Sequence, residues 1–184
     1  MLPPHNLDLS HLPQSIFLIG PMGSGKTSIG RILANLINYE FYDTDRVIEE
    51  RTGADIPWIF DVEGESGFRQ REIKIVDELT QLPNIVLATG GGAVLQLENR
   101  KKLHQRGFVV YLRVAIEEQL KRMERDRSRP LLQVPDRFAV LTQLAAGRDP
   151  LYQETAHMMY EAEDLPVRQS ASALLELLIT QVTP

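Results

Sequence analysis

Gly20-Pro21-Met22-Gly23-Ser24-Gly25-Lys26-Thr27 spells the pattern G-x-x-x-x-G-K-[ST] without a departure. Each residue type there suits phosphate. Glycines let backbone N–H groups curl around phosphate oxygens, and a helix opening at that point adds its partial positive charge. Lys26 has the reach for β- and γ-phosphates, and the Thr27 hydroxyl suits a Mg²⁺ ion. At average residue usage, a chain of this length matches the pattern by chance about once in a hundred or less.

Other groups could act on what such a loop holds. Phe41-Tyr42-Asp43-Thr44-Asp45 carries two carboxylates at i and i+2, which in an extended segment point the same way and can share a cavity. One suits a metal shell and the other a proton from an attacking hydroxyl. Equally, one of them N-caps a helix opening near Arg46. Arg69 and Glu72 lie three apart on one helical face, a spacing that alone favours a surface ion pair. Gly90-Gly91-Gly92 follows an apolar run, and three glycines there cost backbone entropy unless something approaches the chain closely. From Lys121 to Pro130 the chain holds Arg122, Arg125, Arg127 and Arg129, and Pro130 biases Arg129 out of helix. That predicts a guanidinium-rich loop able to fold over a polyphosphate as a lid.

The elements that must position these groups alternate along the chain. Ser15–Ile19, Tyr39–Tyr42, Asn84–Ala88, Phe108–Leu112 and His157–Tyr160 read as five short strands. Ile29, Ile32, Leu33, Leu36 and Ile37 form one helical stripe, so the phosphate pattern sits between a strand and a helix, the setting it requires. Phe68, Ile75, Val76 and Leu79 make a looser stripe, and Leu174, Leu175, Leu177 and Leu178 mark a closing helix. Strands joined by helix-length connections predict right-handed crossovers and a mostly parallel sheet covered on both faces. The class is α/β, a three-layer sandwich. Residues 1–14, with three prolines and two histidines, are expected to be a flexible extension ahead of one domain over 15–184.

Composition removes whole classes of function. There is no cysteine, hence no disulfide scaffold, thiolate zinc site or cysteine nucleophile. A net charge of −5 gives no global attraction for nucleic acid or an anionic membrane, so an anionic ligand needs local positive groups. The first residues show no basic signal region and no run approaches bilayer length, which predicts a soluble, cytoplasmic chain. GTPases need a base-reading Asn-Lys-x-Asp, which is missing; Asp61-Val62-Glu63-Gly64 matches their D-x-x-G pattern but follows an apparent helix start. A chain this small with such a loop reads as a small-molecule kinase.

Assembled in order, these signatures resemble the shikimate kinase family over about residues 15–165. They are the phosphate loop, Phe-Tyr-Asp-Thr-Asp, Arg51-Thr52-Gly53, Phe60, Glu63-Gly64-Glu65, Phe68-Arg69, the triple glycine, Arg129-Pro130-Leu131-Leu132 and Arg148-Asp149-Pro150-Leu151-Tyr152. The resemblance implies a five-stranded parallel sheet of nucleoside-monophosphate-kinase type, a substrate-binding helical region near 44–75 and a lid near 122–136. It implies ATP-dependent phosphorylation of the shikimate 3-hydroxyl, in aromatic amino-acid biosynthesis, by a monomer. Carried onto these positions, it gives Lys26 and the backbone of Gly23, Ser24, Gly25, Thr27 and Ser28 to the ATP phosphates. Thr27 would take Mg²⁺ directly and Asp43 through water. Asp45 would serve as base, and Arg69 and Arg148 would clamp the substrate carboxylate, with Glu72 orienting Arg69. The backbone of Gly90, Gly91 and Gly92 would meet ring hydroxyls, and Phe60 and Phe68 would wall the pocket. Arg129 would descend onto the phosphates, and Arg122 would lie near the adenine. The segment Ala162–Pro166 lacks an obvious polar side chain to read the base. Competing readings are a gluconate or nucleoside-monophosphate kinase of the same fold and, in another class, a non-catalytic nucleotide-binding relative. Paired aspartates with Phe68-Arg69 favour a polyol acid, and the retention of Lys26, Asp45 and Arg69 favours an enzyme.

Overall fold

The computed structural model describes residues 11–124, 136–161 and 165–182. Five strands, β1 (Ser15–Ile19), β2 (Glu40–Asp43), β3 (Ile85–Ala88), β4 (Phe108–Arg113) and β5 (Met158–Glu161), form one sheet in the order β2-β3-β1-β4-β5. All pairings are parallel, with Phe17 of β1 opposite Leu87 on one side and Val109 on the other. The expected five-stranded sheet is present, its predicted limits off by at most one residue at either end.

The period of two along the central strand divides the core. Ile16 and Leu18 pack with Ile29, Leu33 and Ile37 of α1 (Lys26–Ile37) and with Leu174, Leu175 and Leu178 of α7 (Val167–Val182). Phe17 and Ile19 face the opposite way. They meet Ile75, Val76 and Leu79 of α3 (Ile56–Leu79), Leu103 of α4 (Leu97–Arg106) and Tyr152 of α6 (Arg137–Thr155). Helices therefore cover both faces, and β1 is buried throughout. The remaining helices are α2 (Thr44–Thr52) and α5 (Ile116–Arg122).

α3 bends at Gly64, whose φ of 71° interrupts the helical backbone. Asp61-Val62-Glu63-Gly64 therefore ends the first half of a helix and is no strand-borne switch. α6 has no counterpart in the sequence reading, because Pro150 lacks the N–H that a helix interior uses and signals a break. Of the anticipated extension, residues 11–14 are attached: Leu12 packs on the core, the Tyr39 hydroxyl donates to the Pro13 carbonyl, and Asn84 N–H donates to that of Gln14. Residues 1–10 lie outside the described residues. No helix among those described is long and apolar enough to cross a membrane.

Candidate active site

All five strands end at the same edge, where ligands of open parallel sheets bind. The phosphate loop leaves β1 there and turns directly into α1. Lys26 is nearly buried, and its ammonium donates to the carbonyls of Gly20 at 2.8 Å and Pro21 at 2.7 Å. These bonds tie it to its own loop. The Thr27 hydroxyl donates to Asp43 Oδ2 at 2.6 Å.

Asp43 takes the capping role that its sequence left open. Its Oδ1 caps α2, accepting from the N–H groups of Asp45 at 3.0 Å and Arg46 at 3.4 Å, while Oδ2 faces Thr27. The i, i+2 argument for an extended segment does not hold, because the cap starts the helix at Thr44 and puts Asp45 in its first turn. Asp45 still reaches the cleft. A Cβ built on Gly90 would lie 2.6 Å from Asp45 Oδ1 and 2.9 Å from Glu72 Oε1. The two carboxylates converge on that glycine, and any side chain there would displace them. Thr44, which sequence reasoning passed over, accepts the Gly90 N–H on its hydroxyl at 2.9 Å and ties the end of β2 to that of β3.

Arg69 and Glu72 do not form the exposed pair favoured by spacing alone. Glu72 is wholly buried, and Arg69 Nη1 donates to its Oε2 at 2.8 Å. Glu65 takes a second contact from Arg69 at 3.1 Å. Burial pushes the Glu72 carboxyl up to about 7 against the pull of Arg69, with nearby Asp45 raising it further and Arg148 lowering it. Burial pulls Arg69 down, but Glu72 and Glu65 outweigh it and keep the guanidinium above its usual range. That guanidinium lies over Gly92, in the space a Cβ would fill, and beside the Phe68 ring, 5.3 Å from its centroid. Phe60 and Phe68 pack with centroids 4.8 Å apart. From the other side, Arg148 Nη1 approaches to 3.8 Å of the Cβ position of Gly91. A side chain at Gly90 would displace the two carboxylates and one at Gly92 the Arg69 guanidinium, whereas Gly91 has room at ordinary contact distances.

On the far side of the loop, a cleft of about 500 Å³ is lined by Gly23, Gly25, Ser28, Arg122, Leu165 and Ser170. Arg122 donates to Glu118 at 2.8 Å and reaches the Gly23 carbonyl at 3.3 Å, which places it beside this cleft. Arg129, most of the expected lid and Ala162–Asp164 lie outside the described residues.

Among the described residues, no cluster of three His, Asp or Glu side chains could hold a metal alone. The Thr27–Asp43 pair is a small set of hard oxygen donors, the sort that suits Mg²⁺ when phosphates and waters supply most ligands.

A loop for phosphates on one side of an edge, and carboxylates with guanidiniums across from it, is how the α/β P-loop kinases divide their work between donor and acceptor. This chain is an enzyme of that class. It belongs to the shikimate kinase family, whose sequence model matches residues 22–179. A shikimate kinase of Legionella pneumophila (strain Corby) is 53% identical over 169 residues, 92% of this chain and 97% of that one. One of Vibrio cholerae (strain ATCC 39541) is 53% identical over 165 residues, 90% of this chain and 95% of its own length. The structure of a shikimate kinase from Acinetobacter baumannii in complex with shikimate superposes with a TM-score of 0.90 at 50% identity, covering 94% of this chain and 96% of that one.

Proposed function

We propose that the protein transfers the γ-phosphoryl group of ATP to the 3-hydroxyl of shikimate, releasing ADP and 3-phosphoshikimate. Family membership supports the reaction, and one local observation supports its placement: Arg69, Arg148, Glu72 and Asp45 converge on the Gly90–Gly92 turn. Two guanidinium forks suit the substrate carboxylate, since each can bond it bidentately. Asp45 accepts the 3-hydroxyl proton as that oxygen bonds to the γ-phosphorus and the bond to the ADP oxygen breaks. Lys26 exchanges its loop carbonyls for phosphate oxygens and offsets the charge that develops on them, assisted by the N–H groups of Gly23–Ser28. Thr27 directly, and Asp43 through water, would hold Mg²⁺, which supplies further charge neutralisation at the β- and γ-phosphates. Glu72 fixes the Arg69 fork, Phe60 and Phe68 wall the pocket, Arg122 lies towards the base, and Arg129 is assigned to the phosphates.

The reading extends to a cytoplasmic monomer. Every proposed group comes from one chain, no cysteine calls for an oxidising compartment, and the acidic net charge of −5 does not favour a polyanion. A coupled ADP-release assay across shikimate, gluconate, AMP and CMP tests the substrate. Turnover is expected with shikimate alone, and faster turnover with any of the other three would overturn the reading.

A further inference from the structure

Tyr152 belongs to none of the roles above, yet it meets two of the parts they use. It is 2% exposed, and from α6 its hydroxyl donates to the carbonyl of Gly91. Arg148, one turn earlier on the same helix, faces that hydroxyl. The ring stacks on Tyr111 of β4 with centroids 5.0 Å apart, and the Tyr111 hydroxyl in turn donates to Asp149, the neighbour of Arg148. The ring is therefore clamped from the sheet side, and its hydroxyl has little choice of direction.

The Gly91–Gly92 peptide needs such an anchor. With no Cβ on either side, rotation of this peptide plane meets little steric resistance. The chain contains no cis peptide bond among the described residues, so the Gly91 carbonyl and the Gly92 N–H point in opposite directions. Holding the carbonyl towards α6 aims the N–H away from α6. The flanking carbonyls are fixed locally, Gly90 accepting from Ala93 and Gly92 from Leu95, both at 3.0 Å. Of these three carbonyls, that of Gly91 is the one held by a side chain from another element.

We infer that Tyr152 is a positioning residue for the acceptor: its hydroxyl sets the Gly91–Gly92 peptide and keeps Arg148 against it, so that the substrate carboxylate and ring meet a preformed surface. The inference rests on the proposed reaction, and the experiment separates the two. Wild-type protein is first assayed with ATP and shikimate; absence of turnover refutes the reaction itself. Tyr152→Phe, which keeps the ring and its stack, is then compared with Tyr111→Phe, which removes a neighbouring hydroxyl that does not touch the glycine turn. Circular dichroism establishes that both are folded, and calorimetric titration with shikimate without ATP gives a second readout. Tyr152→Phe is expected to raise KM and Kd for shikimate about five- to twentyfold while KM for ATP stays within twofold. Tyr111→Phe is expected to leave shikimate binding within twofold. Equal effects of the two variants, unchanged shikimate binding in Tyr152→Phe, or a parallel rise in KM for ATP would each overturn the assignment. Should Tyr152→Phe not fold, Tyr152→His, whose ring nitrogens end well short of the tyrosine oxygen and so cannot make its bond, is tested in its place and must hold shikimate more weakly than wild type at unchanged KM for ATP.

Discussion

The donor and acceptor halves of the site are built differently. The phosphate loop at the centre of the donor half is one stretch of chain, in which Lys26 bonds carbonyls six and five residues earlier. The acceptor half is gathered from α2, α3, the turn after β3 and α6, through bonds such as Gly90 to Thr44, 46 residues apart, and Tyr152 to Gly91, 61 residues apart. The donor half satisfies its charge with its own backbone. The acceptor half instead keeps a carboxyl in the dry interior against a guanidinium, an arrangement that contributes geometry more than stability. A local motif can be moved between folds as a unit. An assembled pocket stands or falls with the whole sheet.

The difference is testable in descending order of effect. Lys26→Ala is expected to cost about 10³–10⁵ in kcat, since its charge acts on the transferred group; stopped assays of ADP release measure it, and near-normal turnover would remove the donor half from the mechanism. Asp45→Asn keeps the side-chain shape and loses the proton acceptor, so kcat is expected to fall about 10²–10⁴ with little change in KM for ATP. Arg69→Lys retains charge but loses the fork, and KM for shikimate should rise about 10–100-fold at unaltered KM for ATP.

A fourth test concerns pH. The Glu72 carboxyl, ordinarily near 4.5, is raised to about 7 in the folded protein, chiefly by burial. Below pH 4.5 it is protonated whether the chain is folded or not. Between 4.5 and 7 only the folded chain holds the proton. Its contribution to stability is therefore complete at low pH and is lost as pH rises through 7, on the order of 3 kcal/mol in all. Glu72→Gln lacks this titration, so the stability of wild type relative to the variant, followed by urea melts from pH 5 to 8, should fall up to about pH 7 and level off above it; a constant difference would mean the carboxyl stays ionised. Arg122→Ala should do least. It removes a partly exposed pair with Glu118 and one contact to Gly23, and KM for ATP is expected to shift threefold or less.

The same division governs what could be read from the sequence. The three inner strands were legible because a sheet covered on both faces demands continuous apolar runs there, and β1 is one. The donor loop was legible because its chemistry is contiguous. Nothing in the spacing of Arg69 and Glu72 told a buried pair from an exposed one: that depends on α3 packing its Glu72 face towards Gly90, a long-range fact. Resemblance supplied the pairing of Glu72 with Arg69, though not its burial. Thr44 and Tyr152 were missed for the same reason, since a hydroxyl reveals its partner only after folding. α6 was hidden by Pro150, whose local penalty is overridden by the burial of Leu141 and Tyr152 on either side of it.

A sheet in which every strand points the same way also has a quiet edge. The chain re-enters the sheet there at Asn38–Tyr39, Pro83–Asn84, Gly107 and Ala156–His157, and none of the proposed catalytic or binding groups belongs to these turns. Asn38 and Asn84 make two of them with φ of 58° and 55°, so the demands at that edge are conformational rather than chemical. For protein engineering this edge is the handle: a tag, a fluorophore or an inserted peptide at Pro83–Asn84 would sit a full strand length from the chemistry, free to report on the molecule without taking part in it.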